Sequence, residues 1–333
     1  MVALRGWPLD PTKLAVRLRL AEPEVDELEP ALARGELIRS YAFRGGAYIF
    51  TPDVAAVLLR CRTATRVWET ARYQRQGGFA LADWQPLREA VRGALSEGPA
   101  TRAEIAAHLA RERALGDLAA GASGAGSDSL YKPLHWWGDI CFGPSRDGQS
   151  TFRLLDGSPG WPGLPSLDEA GPRAIELYLA SYGPATLTNL EYWLTEGLSV
   201  PRRRVLGWLG NLGDRVSVVE VDGVAAYLLS RDVAGVASCT PADAVRLLPA
   251  YDPWILGPGT ADTRLISPSR RALASNGSNL VVRGGVVTGN WRLEAGELSV
   301  CWFDEAGSAP RTKLAAEAER LSGVIGRELR LRV

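Results

Sequence analysis

The chain has 333 residues, which suits two to four compact units better than one core. Its 46% apolar and 23% charged residues are ordinary for a globular protein, and 38 basic residues cancel 38 acidic ones, so a nucleic-acid surface would have to come from local clustering. No apolar run is long enough to span a membrane or serve as a signal peptide, and four scattered cysteines (Cys61, Cys141, Cys239, Cys301) with two histidines offer no metal-ligand spacing, so a cytoplasmic protein with reduced thiols and no zinc site is expected.

In chain order, a plan of helices running into a β-hairpin occurs three times. In the first unit, 1–78, Glu24 to Arg34 has helical spacing, with Val25, Leu28 and Leu32 on one face. The hairpin "LIRSYAFRGGAYIF" alternates Leu37, Arg39, Tyr41 and Phe43 and turns at Arg44-Gly45-Gly46. Thr51 is the expected cap of the next helix, with Pro52 in its first turn, and another helix is expected over about Thr65 to Arg75.

The second unit, 79–156, begins with a helix capped by Asp83 and continues through a capping box, Thr101 and Glu104. "GDLAAGASGAGSDS" has the composition of a mobile linker, and "SLYKPLHWWGD" leads into the hairpin "DICFGPSRDGQSTFRLL". After the Pro/Gly-rich boundary "DGSPGWPGLPS", the third unit, 166–232, repeats the plan. It has a helix over Ala174 to Ser181, a second capped by Thr188 and Glu191, a third starting at Pro201, and a hairpin turning at Asp222-Gly223. In the tail, 240–333, "VRLLPAYDPWILGPG" is irregular, "NLVVRGGVVTGNWRL" and "LSVCWF" are strands, "RTKLAAEAERLSGVI" is an amphipathic helix and "RELRLRV" an edge strand. The expected fold is α+β: three tandem winged-helix units plus a small β-rich C-terminal module.

Winged helices commonly hold nucleic acid, and several clusters suit that role. Arg39, Arg44, Arg62 and Arg66 belong to an arginine-rich span opposed only by Asp53 and Glu69, and can neutralise phosphates or form a solvated face. Lys132, His135 and Trp136 can stack or wedge against DNA, or pack in the core. Arg202 and Arg203 open the helix that would enter a groove. Arg292, with Arg283 and the Gly284-Gly285 turn, can form a probing hairpin.

Several stretches together are similar to the AlkZ/YcaQ-type bacterial DNA glycosylases. They are "GPATLTNLEYWLTEG" with "VSVVEVDGVAAYLL", "RLLPAYDPWILG" with Arg264 downstream, "VVRGGVVTGNWRL", and "LARGELIRSYAFRGGAYIF". Asp252, Arg264 and Trp291 match the family's tail motifs, and Tyr48 stands where its hairpin has a histidine. The resemblance implies a concave basic channel for double-stranded DNA and cleavage of N-glycosidic bonds to alkylated or crosslinked bases without metal or cofactor; a monomer is expected. It also implies that Asp252 is buried and bonded to Arg264 or to backbone.

The family's "LQAQDP" stretch, with its catalytic glutamines, corresponds here to "RGWPLDP". Aligned on the Asp-Pro, Trp7 and Leu9 take the two catalytic positions; shifted by one residue, Pro8 and Asp10 take them, and Asp10 is the only acid nearby. Asp10 is either the carboxylate that orients water at C1′ or the cap of the helix "PTKLAVRLRL". The expected function is accordingly duplex DNA binding with candidate glycosylase activity. The alternative is a non-catalytic lesion binder or regulator.

Overall fold

The computed structural model describes residues 1–22, 27–113, 115–124, 126–240 and 242–333, with all their side chains except that of Asp117. The first segment contains β1 (Leu4–Arg5), α1 (Leu9–Arg17), α2 (Leu28–Arg34), β2 (Ile38–Tyr41), β3 (Ala47–Phe50), α3 (Pro52–Arg62) and α4 (Ala71–Gly77). Residues 23–26, including Val25, lie outside the described residues. The hairpin β2–β3 is antiparallel, and β1 adds a third strand on β3, pairing Leu4 with Ile49 and Arg5 with Tyr48. The long helix expected from Thr65 is interrupted, because Arg66 adopts a left-handed φ of 48° and α4 starts only after Thr70, whose hydroxyl accepts the Tyr73 N–H. Thr51 precedes α3 as expected, but its hydroxyl bonds to the Asp53 carboxylate, not to a backbone N–H.

The second segment contains α5 (Trp84–Ala94), β4 (Ala100–Thr101), α6 (Arg102–Leu109), α7 (Gly116–Ser123), α8 (Asp128–Trp136), β5 (Ile140–Phe142) and β6 (Thr151–Leu154). The capping box is present: the Thr101 hydroxyl accepts the Glu104 N–H, and the Glu104 carboxylate accepts the Thr101 N–H at 2.7 Å. Asp83 holds the N-cap position of α5 as expected, but its carboxylate accepts the Ala80 N–H and not one from α5. The expected linker is largely helix α7, since Leu115, Ala119 and Ala122 recur at helical spacing and bury beside α6. Strands β4, β6 and β5 form a small antiparallel sheet, with Asp147 and Gly148 at the β5–β6 turn at φ of 50° and 74°.

In the third segment α9 (Leu167–Tyr182) is longer than expected, because the Ser166–Glu169 capping box starts it. The next helix, α10 (Leu187–Leu190), is capped by Thr186 and Asn189, not by Thr188 and Glu191, and leads into a π-helical stretch over Glu191–Gly197. Then come α11 (Arg202–Asn211), β7 (Val216–Val221), β8 (Val224–Leu229) and α12 (Val233–Ala237). Asp222 and Gly223, at φ of 50° and 77°, make the tight β7–β8 turn that two left-handed residues allow.

The tail is more ordered than its sequence suggested. "VRLL" is β9 (Val245–Leu248) and "PWIL" is a helical turn, α13 (Pro253–Leu256), followed by α14 (Arg271–Ser275), β10 (Asn279–Arg283), β11 (Val286–Glu294), β12 (Glu297–Trp302), α15 (Arg311–Ile325) and β13 (Arg330–Arg332). The five strands run in the order β13-β12-β11-β10-β9, antiparallel except for β12–β13. Strand alternation splits the core across the sheet: Val245, Leu247, Val281 and Val300 face α15, while Leu248, Leu280, Val282 and Val287 face Ile255 and Ala274. Leu14 and Leu18 of α1 join the first of these clusters. A separate continuous core runs through the three helix–hairpin segments, with α3 packed on α9. Among the described residues no helix is long and apolar enough to cross a membrane, and no three His, Cys, Asp or Glu side chains gather as a metal site.

Candidate functional site

The stretch matched to the catalytic motif forms a turn between β1 and α1. Three bonds fix it. The Gly6 N–H donates to the Ala47 carbonyl at 2.7 Å, the Arg5 Nε–H donates to the Trp7 carbonyl at 3.1 Å, and the buried Thr12 hydroxyl donates to the Arg5 carbonyl. A side chain at Gly6 would press on the Ala47 backbone at 3.1 Å, so glycine lets β1 lie this close. Trp7 is 70% exposed, Leu9 half-buried and Asp10 exposed. Asp10 lies in the first turn of α1, where an acid favours the helix dipole, but Pro8 occupies the cap position, so Asp10 is not the cap.

Two cavities open beside this turn, each walled partly by the first segment and partly by the second. One, of about 340 Å³, is lined by Arg5, Trp7, Arg39, Tyr41, Arg102 and Phe142, among others. The other, of about 430 Å³, includes Leu9, Glu29, Arg39, Phe142, Pro144 and Ser145. Arg39 and Phe142 are shared, with the guanidinium carbon 4.9 Å from the ring centre. Asp10 is not among the residues lining either cavity. Burial pulls the Arg39 pKa below its ordinary value, partly opposed by Cys141 and Glu29. The Glu29 carboxylate also accepts from Lys13 at 3.0 Å. Tyr41, pushed up to about 12 by burial and by Asp128, stays protonated and donates to Asp128, which also holds Arg102 at 2.6 Å.

The other sequence-flagged residues divide sharply. Arg44 is exposed, lies 4.3 Å over the Tyr192 ring and is 3.9 Å from Glu196. Arg66 is exposed and paired with Glu69, yet it also lines a cavity of about 320 Å³ with Arg60 and Arg204, which brings first- and third-segment arginines together. Arg202 pairs with Glu191, and Arg203 is exposed. Lys132 is largely covered, 3.2 Å from Asp128. Arg292 lies on a broad concavity with Glu294, Glu297, Arg330 and Arg332, while Arg283 is held by Asp243 at 2.7 Å.

Three of the expected DNA contacts are buried. His135 is 0% exposed, with Nδ1 2.9 Å from the Ser40 hydroxyl, and burial together with Arg102 pushes its pKa down to about 3. Trp136 is 1% exposed, and Arg62, itself 8% exposed, covers its ring at 4.1 Å. These side chains face inward because α8 lies between α3, α4 and the second sheet and buries most of its surface.

A model of the DNA glycosylase AlkZ-like family matches residues 1–324. The chain belongs to that family. The interstrand DNA cross-link repair glycosylase of Streptomyces sahachiroi is 32% identical over 321 residues, covering 94% of this chain and 86% of that protein. The solved structure of Streptomyces sahachiroi DNA glycosylase AlkZ superimposes with a TM-score of 0.92 at 30% identity, over 99% of this chain and 90% of that one.

Within this AlkZ-like chain the tail motif keeps the expected buried aspartate bonded to backbone, with a different arginine as its ion pair. Asp252 is 2% exposed and accepts the Trp254 N–H, as the backbone alternative expected, and its ion-pair partner is Arg19, just past the end of α1, at 2.8 and 2.9 Å, not Arg264. Arg264 instead binds Asp262 at 2.7 Å and the Asn189 carboxamide oxygen at 3.0 Å. Trp291 is buried and donates to the Leu248 carbonyl at 2.9 Å, bracing the sheet. Tyr48 is buried, with its ring 5.0 Å from Phe43 and Arg5 5.8 Å above it, so it packs rather than facing open solvent. Sequence reasoning missed Arg5, Glu29 and Arg102. Arg5 was visible in "RGWPLDP", whereas Glu29 and Arg102 become neighbours of the motif only through folding.

Proposed function

We propose that this AlkZ-like chain acts as a monomer on double-stranded DNA, reading residues 1–78, 79–156 and 166–232 as three winged-helix units. With the module at 240–333 they form one concave channel. Arg44, Arg66, Arg203 and Arg204 contact phosphates, a salt-sensitive mode of binding. The reaction is hydrolysis of the N-glycosidic bond to an alkylated or crosslinked base. The observation that carries this reading is the pair of cavities at the motif turn, with a carboxylate in one of them.

In that reaction the bond from C1′ to the base nitrogen breaks and its electron pair leaves with the base. Water adds its oxygen to C1′ and gives up a proton. A carboxylate beside C1′ supports the positive charge on the sugar and accepts that proton. Trp7 and Leu9 can do neither through their side chains. Glu29 lines the cavity next to Leu9 and Asp10 does not, so Glu29 takes the role first expected of Asp10.

The test is release of base from duplex containing 7-methylguanine. Glu29→Gln should lower the excision rate by about 10²- to 10⁴-fold, far more than it changes DNA affinity. Asp10→Asn should change the rate several-fold at most. The reverse ranking would return the role to Asp10. A second reading, a lesion binder without catalysis, is favoured by the side chains at the two motif positions, and wild-type protein that binds duplex but releases no base would establish it.

A further inference from the structure

Trp7 is the most exposed large apolar side chain among the described residues. Leaving an indole in water forgoes roughly 1.5–3 kcal/mol that burial would provide. Yet nothing about it is loose: the bonds from Gly6, Arg5 and Thr12 fix the turn, and the indole borders the 340 Å³ cavity. That volume falls in the range of roughly 300–1,000 Å³ typical of small-ligand sites. The lining combines three guanidinium groups, from Arg5, Arg39 and Arg102, with the aromatic rings of Trp7, Tyr41 and Phe142, and it includes no carboxylate.

We propose that Trp7 is a stacking platform for a nucleotide extruded from duplex DNA, with the base on the indole and its phosphate taken by the arginines of the same cavity. This rests on the duplex-binding reading above. Asp128, behind the wall, holds Arg102, which leaves Arg5 and Arg39 as the lining cations with no carboxylate on them among the described residues. A flat π-face beside two such cations suits a ligand that is aromatic at one end and anionic at the other. A nucleotide swung out of the helix has that form, and base stacking on an aromatic ring tolerates any base. A position matched to a hydrogen-bonding residue of the family thus holds a residue that grips the base by its face.

The experiment compares two end-labelled duplexes, one fully paired and one with 2-aminopurine opposite an abasic site, bound by wild type, Trp7→Ala and Trp7→Phe. Wild type should prefer the second duplex. Trp7→Ala should reduce that preference by about 5- to 150-fold, the value of one stacked base, and Trp7→Phe should keep most of it. The 2-aminopurine emission should be brighter in the Trp7→Ala complex, because the stacked indole quenches it. Equal preference in wild type and Trp7→Ala would overturn the proposal, as would a fall in both affinities that leaves their ratio unchanged. If wild type binds both duplexes without preference, this inference alone fails. If it binds neither, the DNA-binding reading fails with it.

Discussion

Arg62 lies over Trp136 in the core, while Arg5 braces Trp7 in a turn open to solvent. Both are arginine–tryptophan neighbours. They differ in what surrounds them. Trp136 closes α8, packed between α3 and α4, and its arginine loses hydration to cover the ring. Trp7 follows a two-residue edge strand, and Arg5 spends its Nε–H on the backbone of the turn, so the indole stays free. An arginine beside a tryptophan is therefore no sign of a ligand site. The elements that enclose the pair decide whether the ring supports the fold or meets a partner.

The contrast makes its largest prediction for stability. Trp136→Ala should cost about 3–5 kcal/mol in denaturant unfolding, the usual range for emptying a buried aromatic site. Trp7→Ala should stay within about 0.5 kcal/mol of wild type. Comparable losses at the two positions would mean that Trp7 is also a packing residue.

The next effect depends on pH. His135, beside Trp136, has its pKa lowered to about 3 by burial, from an ordinary 6.5. The unfolded chain therefore binds a proton that the folded chain refuses. Stability should be complete above about pH 6.5 and fall by about 1.4 kcal/mol per pH unit below it, down to about pH 3. His135→Gln should flatten that part of the unfolding profile relative to wild type. An unchanged slope would show that carboxylates, not this imidazole, govern acid unfolding.

The smallest effect separates two arginines. Arg62→Ala should cost about 1–2 kcal/mol of stability, through the lost contact with Trp136. Arg66→Ala should leave stability alone and weaken duplex binding at every sequence, lowering the salt dependence by about one phosphate contact. If Arg62→Ala instead weakens DNA binding at constant stability, its burial is not maintained in solution.

Local signals were legible where they close on themselves. The Asp222-Gly223 turn, the Thr101–Glu104 capping box and the strands of "NLVVRGGVVTGNWRL" each need only a few adjacent residues, and each is present. The family motif placed Asp252 and Trp291 inside the tail, and both are buried there. What was not legible is tertiary. Small residues at helical spacing read as a linker until Leu115, Ala119 and Ala122 found a surface to cover. His135 and Trp136 looked like tools for DNA because the sequence does not show which neighbours enclose α8. The cavities at the motif turn need Arg39 from one hairpin and Phe142 from another, so no local window contains them.

Arg19 and Asp252 are 233 residues apart in the chain, and the residues just before Arg19, Leu14 in α1 and Leu18 at its end, enter the core beneath α15. The turn that presents Trp7 is thus mounted on a support that the ribosome delivers only much later. The fold near the start of the chain is thus completed by its last third, and the two ends are held together by an ion pair and a shared core.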